Sequence, residues 1–502
     1  MFKPLLRAAA SLLLFAPIPL AAQQPAPITA ADMLRHIQVL ASDRFQGRAP
    51  ASEGEQLTTS YIVEQMRARG LEPAGENGSW FQPVALVERS MRSHEVSWTA
   101  GGRALSFDLA DIVLQGREAE VRIADAPVVF AGHGARIPER GVDQLAGADL
   151  HGAIVFILVD GPDMPGFPPL PERLRTVTEA GAAAVIALTG ADLQWRYITA
   201  NYRNPSTKLA SQPTPSVIGA MPLAAAQRLF AAGGADMARL LNDQPGSSFR
   251  AVTLPLHGSL HVTTDVRPIV TNNVIGRLRG SGSTGENVMI LAHWDHLGLC
   301  RPEGAADRIC NGAVDNASGI AMMIEAAGHL AQGSRPVRDM LFLATTAEEK
   351  GLLGAEYFAT HPVVPLGSIV VAINLDTVAV APAGEPVAIL NRSFPGLDAA
   401  VEATAAAMGR RMDTAHEADS MTQRQDGWAL ARHGIPAIMV GGSFASMTRL
   451  NAFLQGRYHQ PSDQAYAEIE MGGATEDANL LVALARRLAD PAAYARPVRT
   501  AE

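Results

Sequence analysis

The chain has 502 residues, of which 47% are hydrophobic and 18% are charged, a composition typical of globular domains and not of disordered segments. Its formal net charge is −9 at pH 7, and the absence of a basic cluster excludes nucleic acid as a partner. At roughly 100–200 residues per domain, the length indicates two or three domains.

The first 22 residues have the pattern of a secretory signal peptide. Lys3 and Arg7 precede an apolar stretch that runs from Ala8 to about Ala22 and ends in small residues. Two prolines interrupt this stretch, and it is shorter than the roughly 20 residues that a membrane-spanning helix needs. We therefore predict cleavage near Ala22 and export to the periplasm or the medium, with no membrane span after signal removal.

Two helices are predicted after the signal peptide. Apolar residues recur at three- and four-residue spacing from Thr29 to Leu40, with Thr29 or Asp32 as the N-cap. The same spacing recurs along residues 55–70 and stops at Gly70. Short alternating runs at residues 81–84 and 96–98 then predict edge or hairpin strands.

Residues 118–254 differ in character from the rest of the chain. Short β-rich runs alternate with small helical segments, and this part of the sequence contains no paired acidic or histidine motifs. We interpret it as a separate, non-catalytic module that is inserted into the main domain.

From residue 262 onward, strands, loops and helices alternate up to the C-terminal helix. This alternation predicts an α/β fold with a mixed, mostly parallel central sheet flanked by helices. The predicted domains are the signal peptide (1–22), the main domain (23–117 and 255–495) and the insert (118–254). Cys300 and Cys310 are ten residues apart in a loop, and export favours a disulfide over two free thiols.

Three predicted strands end in side chains that can bind metals. His293 ends the first, and the carboxylate of Asp295 can orient a metal-bound imidazole. Glu348-Glu349 ends the second strand and Asp376 ends the third. In such a pair of glutamates, one can bind a metal ion while the other takes a proton from the attacking water.

Asp315 and His459 lie in loops. Each of these candidates has an ordinary explanation when it is taken alone, such as a helix cap or an exposed histidine. Together they form a set of two imidazoles and three carboxylates, with one further glutamate. Such a set suits zinc and also cobalt or manganese, and a bridging carboxylate is typical of hydrolytic sites with two ions about 3.5–4 Å apart.

At these residues the sequence resembles the co-catalytic zinc aminopeptidase family, metallopeptidase family twenty-eight. The resemblance rests on the segments His293-Trp294-Asp295, Gly312–Gly319, Ala347-Glu348-Glu349, Gly351–Gly354, Asn374-Leu375-Asp376 and Tyr458-His459. It implies a zinc exopeptidase-like fold with two zinc ions. The insert resembles a β-rich α+β protease-associated domain, and the N-terminal part resembles exported bacterial members that carry this insert.

The resemblance also implies a role for each candidate residue. His293 and Asp376 would hold one zinc ion, Glu349 and His459 would hold the other, and Asp315 would bridge the two ions.

Two more residues receive roles in the same way. Glu348 would be the general base, and Asp295 would orient His293. The chain departs from the family pattern at one place: many relatives carry Ser-Asp-His before Gly434-Ile435-Pro436, whereas this chain has Gln425-Asp426-Gly427. The departure concerns substrate preference and not the metal ligands.

The function that this resemblance favours is removal of N-terminal residues from peptides by an exported two-zinc aminopeptidase. A carboxypeptidase or dipeptidase of the glutamate carboxypeptidase type stays open as an alternative, as does a glutaminyl cyclase-like enzyme. A non-catalytic binding protein is a further alternative. The oligomeric state, the native metal and the partner of the insert are left open by the sequence.

Overall fold

The computed structural model describes residues 26–162, 166–190, 195–243, 249–392, 394–466 and 469–496. The predicted signal peptide lies outside the described residues. Within these ranges the helices α1 to α12 are, in chain order, Ala30–Leu40, Glu53–Ala68, Leu170–Glu179, Trp195–Arg203, Leu223–Ala232, Met237–Asp243, Ser318–Ala331, Leu353–Thr360, Pro395–Ala407, Asp426–Ala431, Met447–Gly456 and Met471–Leu488.

The strands of the same ranges, β1 to β19, are Glu72–Pro73, Phe81–Ala100, Arg103–Leu105, Val113–Gly116, Glu120–Phe130, Arg136–Ile137, Val142–Asp143, Ile154–Leu158, Ala184–Thr189, Ser206–Leu209, Val217–Pro222, Val252–Leu278, Asn287–His293, Gly298–Leu299, Ile309–Cys310, Asp339–Thr345, Ile369–Asn374, Ala388–Leu390 and Ala437–Gly441.

A large mixed sheet forms the centre of the structure, with the strand order β18-β19-β17-β13-β16-β12-β5-β8-β9-β11-β4. β13 pairs in parallel with β16 and β17, and β17 pairs in parallel with β19. β12 and β18 are antiparallel to their neighbours β16 and β19. The predicted α/β class with a mixed, mostly parallel central sheet is therefore confirmed.

Helices cover both faces of this sheet. Val288 and Ile290 of β13 pack in a hydrophobic core with α1, α2, α7, α9 and α12, whereas Met289 and Leu291 pack in a second core with α8 and α10. Successive side chains of a strand point to opposite faces, so a strand covered on both sides needs a nearly continuous apolar run. The sequence of β13 has that pattern.

The predicted N-terminal helices are present as α1 and α2. Both candidate caps of α1 take part, because the Thr29 side chain accepts from the Asp32 backbone N–H while the Asp32 carboxylate accepts from the Thr29 N–H. Met33, Ile37 and Leu40 are buried on the inner side of α1.

Two long strands connect the main sheet with the predicted insert. β2 and β12 pair antiparallel from Phe81↔Val274 to Thr99↔His257. The prediction of two separate short strands at 81–84 and 96–98 was wrong, because both runs belong to β2. The residues in the middle of β2 are polar and half-exposed, and buried and exposed positions alternate only weakly there. Pairing with β12 keeps this stretch in the strand.

The part of the chain between β4 and β12 has a hydrophobic core of its own. β5, β8, β9 and β11 form parallel pairs in that order. Phe130, Phe156 and Phe230 meet edge to face in this core. The boundary predicted after residue 254 falls inside β12, and the division into domains stays a prediction.

Cys300 and Cys310 form a disulfide with a Cα–Cα distance of 5.7 Å, as predicted. The bond joins the hairpin of β14 and β15. Among the helices of the described ranges, none is both long and apolar enough to cross a membrane.

Candidate metal centre

The candidate side chains meet at the carboxyl-terminal ends of the parallel strands β13, β16 and β17. His293 is the last residue of β13, Glu348-Glu349 follow β16, and Asp376 follows β17 by two residues. The carboxyl ends of neighbouring parallel strands lie at one edge of a sheet, so these positions converge although they are far apart in sequence.

Two loops complete the site. Asp315 lies in the turn Ala313–Ala317 that opens α7, and His459 follows α11. Asp463 connects the two loops, because its carboxylate accepts the backbone N–H groups of Val314 and Asp315 at 3.1 Å. The loop of His459 thus also holds the backbone of Asp315.

The first set of converging donors is His293, Asp315 and Asp376, called here the Asp376 group. Its ligand atoms all lie within 4.8 Å of one another. His293 Nε2 is 3.3 Å from Asp315 Oδ1 and 3.6 Å from Asp376 Oδ1. Two carboxylates and one imidazole nitrogen therefore face a common point.

The second set is Asp315, Glu349, His459 and His296, called here the Glu349 group. His459 Nε2 lies 2.9 Å from Glu349 Oε2 and 3.3 Å from Asp315 Oδ2. His296 Nδ1 lies 2.6 Å from Glu349 Oε1. Asp315 thus directs one oxygen to each group, which is the position of a bridging ligand.

Five potential ligand atoms of the site lack the hydrogen bonds that buried polar atoms normally make. Among the described residues, those buried without a hydrogen-bond partner include His293 Nε2, His296 Nδ1, Asp315 Oδ2, Glu349 Oε1 and His459 Nε2. Buried polar groups rarely stay unpaired, so imidazole nitrogens and carboxylate oxygens that converge without hydrogen bonds fit the binding of a cation. Imidazole and carboxylate donors suit zinc.

The pKa shifts of the carboxylates reflect the same crowding. Burial raises the pKa of Glu348 well above its ordinary value, and the charges of Asp376 and Asp426 raise it further. Burial also opposes the ionisation of Asp315, but His293 and His459 outweigh it and hold the pKa of Asp315 well below the ordinary value. The site thus keeps Asp315, the carboxylate shared by both groups, charged beside a glutamate that readily holds a proton.

The imidazoles show the complementary shifts. Burial alone would lower the pKa of His459, but contacts with Asp315 and Glu349 raise it to about 9. Glu348, Asp315 and Asp376 likewise raise the pKa of His293 well above its ordinary value against the effect of burial. Positive charge is therefore favoured at both groups, and a divalent cation can supply it.

Asp295 has a different contact from the one expected. His293 Nδ1 donates to the backbone carbonyl of Asp295 at 3.1 Å, whereas the Asp295 carboxylate is 3.8 Å from that nitrogen. The carboxylate instead accepts the backbone N–H of Glu348 at 3.0 Å. The imidazole is oriented by a peptide oxygen, and the side chain holds the turn that carries Glu348.

Three residues near the centre were missed by sequence reasoning. Arg48 is fully buried and donates to the backbone carbonyls of Leu40, Trp294, Asn311 and Gly312. Its local sequence gives no sign of this role.

Asp463 and His296 are the other two missed residues. His296 had a usable signal, because it is a second histidine at the end of the strand that carries His293. Asp463 lies four residues after His459, but an aspartate in a loop is too common to stand out.

A pocket opens beside Glu348 and Asp376. Its apolar wall consists of Met421, Met439, Phe444, Leu450 and Leu454, and its polar lining includes Arg424, Gln425 and Tyr458. The stretch that departs from the family pattern thus borders this pocket. Asp426 is buried beneath it and accepts a hydrogen bond from the Thr345 hydroxyl, while burial raises the pKa of Asp426 to about 6.

The chain is similar to known peptidases. Residues 273–485 match the family model described as Peptidase family M28, and the candidate metal ligands all lie inside this range. A vacuolar membrane protease of Candida tropicalis is 32% identical over 91 residues, which is 18% of this chain and only 9% of that protein.

Two solved structures align with about nine tenths of the chain. An aminopeptidase from Aneurinibacillus sp. strain AM-1 has 18% sequence identity and a TM-score of 0.51, covering 92% of this chain and 93% of that chain. A zinc aminopeptidase from Bacillus subtilis has 18% identity and a TM-score of 0.43, covering 91% and 94%. At this level of identity, the likeness to the Aneurinibacillus structure concerns the fold.

Proposed function

Residues 273–485 belong to peptidase family M28, and on this basis we propose that the chain is an exported two-zinc aminopeptidase that removes N-terminal residues from peptides. The reaction class is hydrolysis by a metallopeptidase. We further propose that the site holds two ions, that cleavage starts from the N-terminus of the peptide and that the protein is exported.

One observation carries the proposal. Asp315 directs Oδ1 to the Asp376 group and Oδ2 to the Glu349 group, while Glu348 stands beside the Asp376 group as a further carboxylate. Glu348 Oε2 is 4.0 Å from His293 Nε2. A bridged pair of cation sites with an adjacent carboxylate is the arrangement that two-metal hydrolysis requires.

In this mechanism Glu348 moves the proton. The chemistry that a pair of cations supplies at such a site is polarisation of the scissile carbonyl and a lower pKa of the attacking water. Glu348 accepts the proton of that water and returns it to the leaving amine. The Asp295 carboxylate holds the backbone of Glu348, which keeps the base at one place during both transfers.

The pocket beside Glu348 gives the proposed substrate preference. Its wall of methionine, leucine and phenylalanine side chains suits an apolar residue at the cleaved bond. Arg424 also lines this pocket and can attract a free carboxylate, which is the observation that favours a carboxypeptidase or dipeptidase as the alternative.

A substrate panel tests the proposal. Purified protein is assayed on aminoacyl-nitroanilides, on N-acetylated peptides with a free carboxyl terminus and on peptides with N-terminal glutamine, with and without a chelator. We expect chelator-sensitive release from leucyl- and methionyl-nitroanilides, with about two zinc ions per chain by metal analysis. Cleavage of the N-acetylated peptides alone would establish the carboxypeptidase, and cyclisation with one ion per chain would establish the cyclase. Inactivity on the whole panel would favour a binding protein.

Export is tested separately. Expression of the full chain in a bacterial host with separate analysis of periplasm, medium and cytoplasm is expected to yield an exported protein whose N-terminus lies near residue 23. An uncut N-terminus or recovery in the cytoplasm alone would contradict the signal peptide.

A further inference from the structure

We propose that His296 binds the ion of the Glu349 group directly, as a ligand beside Glu349, His459 and Asp315. This inference rests on the two-ion site proposed above and goes beyond the ligand set implied by the family resemblance. It gives the two ions different coordination, with four side chains at one and three at the other.

The position of His296 is fixed from several sides. Its side chain is fully buried, and its backbone N–H donates to the carbonyl of Arg48 at 3.3 Å. Gly312 lies against its ring, because a Cβ built at Gly312 would be 2.6 Å from His296 Cγ. Gly312 has a φ of +56°, so both its backbone conformation and the close approach of the ring favour glycine.

The ring presents Nδ1 to the same carboxylates that His459 contacts. His296 Nδ1 is 2.6 Å from Glu349 Oε1 and 3.8 Å from Asp315 Oδ2. His459 Nε2 faces the other oxygen of Glu349 at 2.9 Å. The two rings are inclined at 71°, with centroids 5.6 Å apart, so they approach the carboxylates from different directions.

An ordinary hydrogen bond between His296 and Glu349 does not explain this contact. Against the effect of burial, the contact of His296 Nδ1 with Glu349 Oε1 lowers the pKa of Glu349, yet neither atom makes a well-directed hydrogen bond. Asp315 Oδ2 and His459 Nε2 are buried and unpaired beside them. His296, Asp315 and Glu349 offer ligand atoms within 4.8 Å of one another, and His459 Nε2 lies against the same two carboxylates, as is expected of co-ligands of a cation.

The consequence is an asymmetric pair of sites. Two imidazoles and two carboxylates fill the tetrahedral set that zinc prefers when it is held in a closed site. The Asp376 group offers three side chains, His293, Asp315 and Asp376, and leaves a position for water or substrate. We therefore assign tight, permanent binding to the Glu349 group and the more exchangeable ion to the Asp376 group.

The test counts metal ions and uses variants of three histidines of the site and of one control histidine outside it. His296→Phe keeps a ring against Gly312 but removes both nitrogens, and His296→Asn keeps a polar atom near Nδ1 in a smaller side chain. His459→Phe and His293→Phe each remove one ligand of a defined group. His433→Phe is the matched control, because His433 pairs with Glu356 outside the site.

Each protein is stripped of metal, reloaded with zinc, analysed for bound zinc and titrated in competition with a chromophoric chelator. The wild type and the His433→Phe control are expected to bind two ions with separate affinities. In His296→Phe and in His459→Phe the tighter ion should bind at least about 100-fold more weakly. His293→Phe should weaken the other ion instead.

X-ray absorption at the zinc edge of the loaded wild type makes the test independent of folding in the variants. It should give an average of about 1.5 imidazole nitrogens per zinc if His296 is a ligand and about 1.0 if it is not. The role of His296 as a ligand would be refuted, with the proposed function left intact, by either of two results. One is a folded His296→Phe variant that binds two ions with unchanged affinities, and the other is a wild type with about one imidazole per zinc. A wild type that binds no zinc would refute the proposed function itself.

Discussion

The backbone N–H of Glu348 donates to the carboxylate of Asp295 at 3.0 Å, across the ends of β13 and β16. Asp295 therefore serves the site twice, because its peptide oxygen also accepts from the Nδ1 of His293. Asp295 thus positions both the proposed ligand His293 and the proposed base Glu348.

We expect Asp295→Ala to lower kcat about 10- to 100-fold, since the turn that carries Glu348 loses its anchor while the peptide oxygen that orients His293 remains. Asp295→Asn keeps an acceptor at the same place and should lose less activity. Both variants should retain bound zinc, and KM should change little. The measurement is steady-state kinetics on a nitroanilide substrate together with metal analysis, and an Asp295→Ala enzyme with unchanged kcat would show that the contact is dispensable.

Glu348→Gln separates the base from the ligands. The substitution preserves the size of the side chain but removes its ability to accept a proton, so kcat should fall about 100- to 10,000-fold. The zinc content should stay at the wild-type level because Glu348 belongs to neither donor group. Glu356→Gln is a suitable control, since Glu356 is a glutamate of the next helix, α8, that pairs with Arg432 and His433 away from the centre. Near-normal turnover in Glu348→Gln would remove Glu348 from the role of base.

The features that could be predicted depend on residues close together in sequence, whereas the features that were missed depend on residues far apart in sequence. His293 and Asp376 were predictable because His293 ends one buried apolar strand and Asp376 follows another, which is a local pattern. The helix α1 was predictable from its cap and its spacing for the same reason. The partners of Arg48 in the site are up to 264 residues away, and no local pattern encodes them.

The prediction of two short strands in place of β2 was wrong for a related reason. The middle of β2 is half-exposed, and only its pairing with β12 makes it one continuous strand. Likewise, the side chain of Asp295 could reach either the His293 ring or the Glu348 backbone, and tertiary packing decides between them. The sequence therefore predicts which polar side chains converge better than it predicts the contacts that hold them.

Arg48 offers a test of those long-range contacts. Its guanidinium donates to four carbonyl groups, and two of these, at Asn311 and Gly312, lie four and three residues before Asp315. Arg48→Met leaves buried carbonyls without donors and should lower the free energy of unfolding by about 3 kcal/mol or more. Arg48→Lys should rescue little, because one ammonium group cannot reach the same set of acceptors.

Urea denaturation of the metal-free protein measures this effect without a contribution from zinc. Arg44→Met is the matched control, since Arg44 lies four residues earlier in the same segment and is exposed. Its midpoint should stay close to that of the wild type. Equal midpoints for Arg48→Met and Arg44→Met would show that the buried guanidinium does not hold the segment in place.

The raised pKa values of the imidazoles predict how zinc binding depends on pH. The pKa of His459 in the metal-free site is about 9, and that of His293 is well above 6.5, so both rings carry protons at pH 7. A ring that binds zinc must lose its proton, which means that binding at pH 7 releases protons and tightens as the pH rises toward 9. Each released proton should change the apparent affinity about tenfold per pH unit within this window.

Titration calorimetry in two buffers of different ionisation enthalpy counts the protons directly. His459→Phe should release fewer protons than the wild type, and a wild type whose zinc affinity stays constant between pH 6.5 and 8.5 would show that the rings are neutral before the metal arrives.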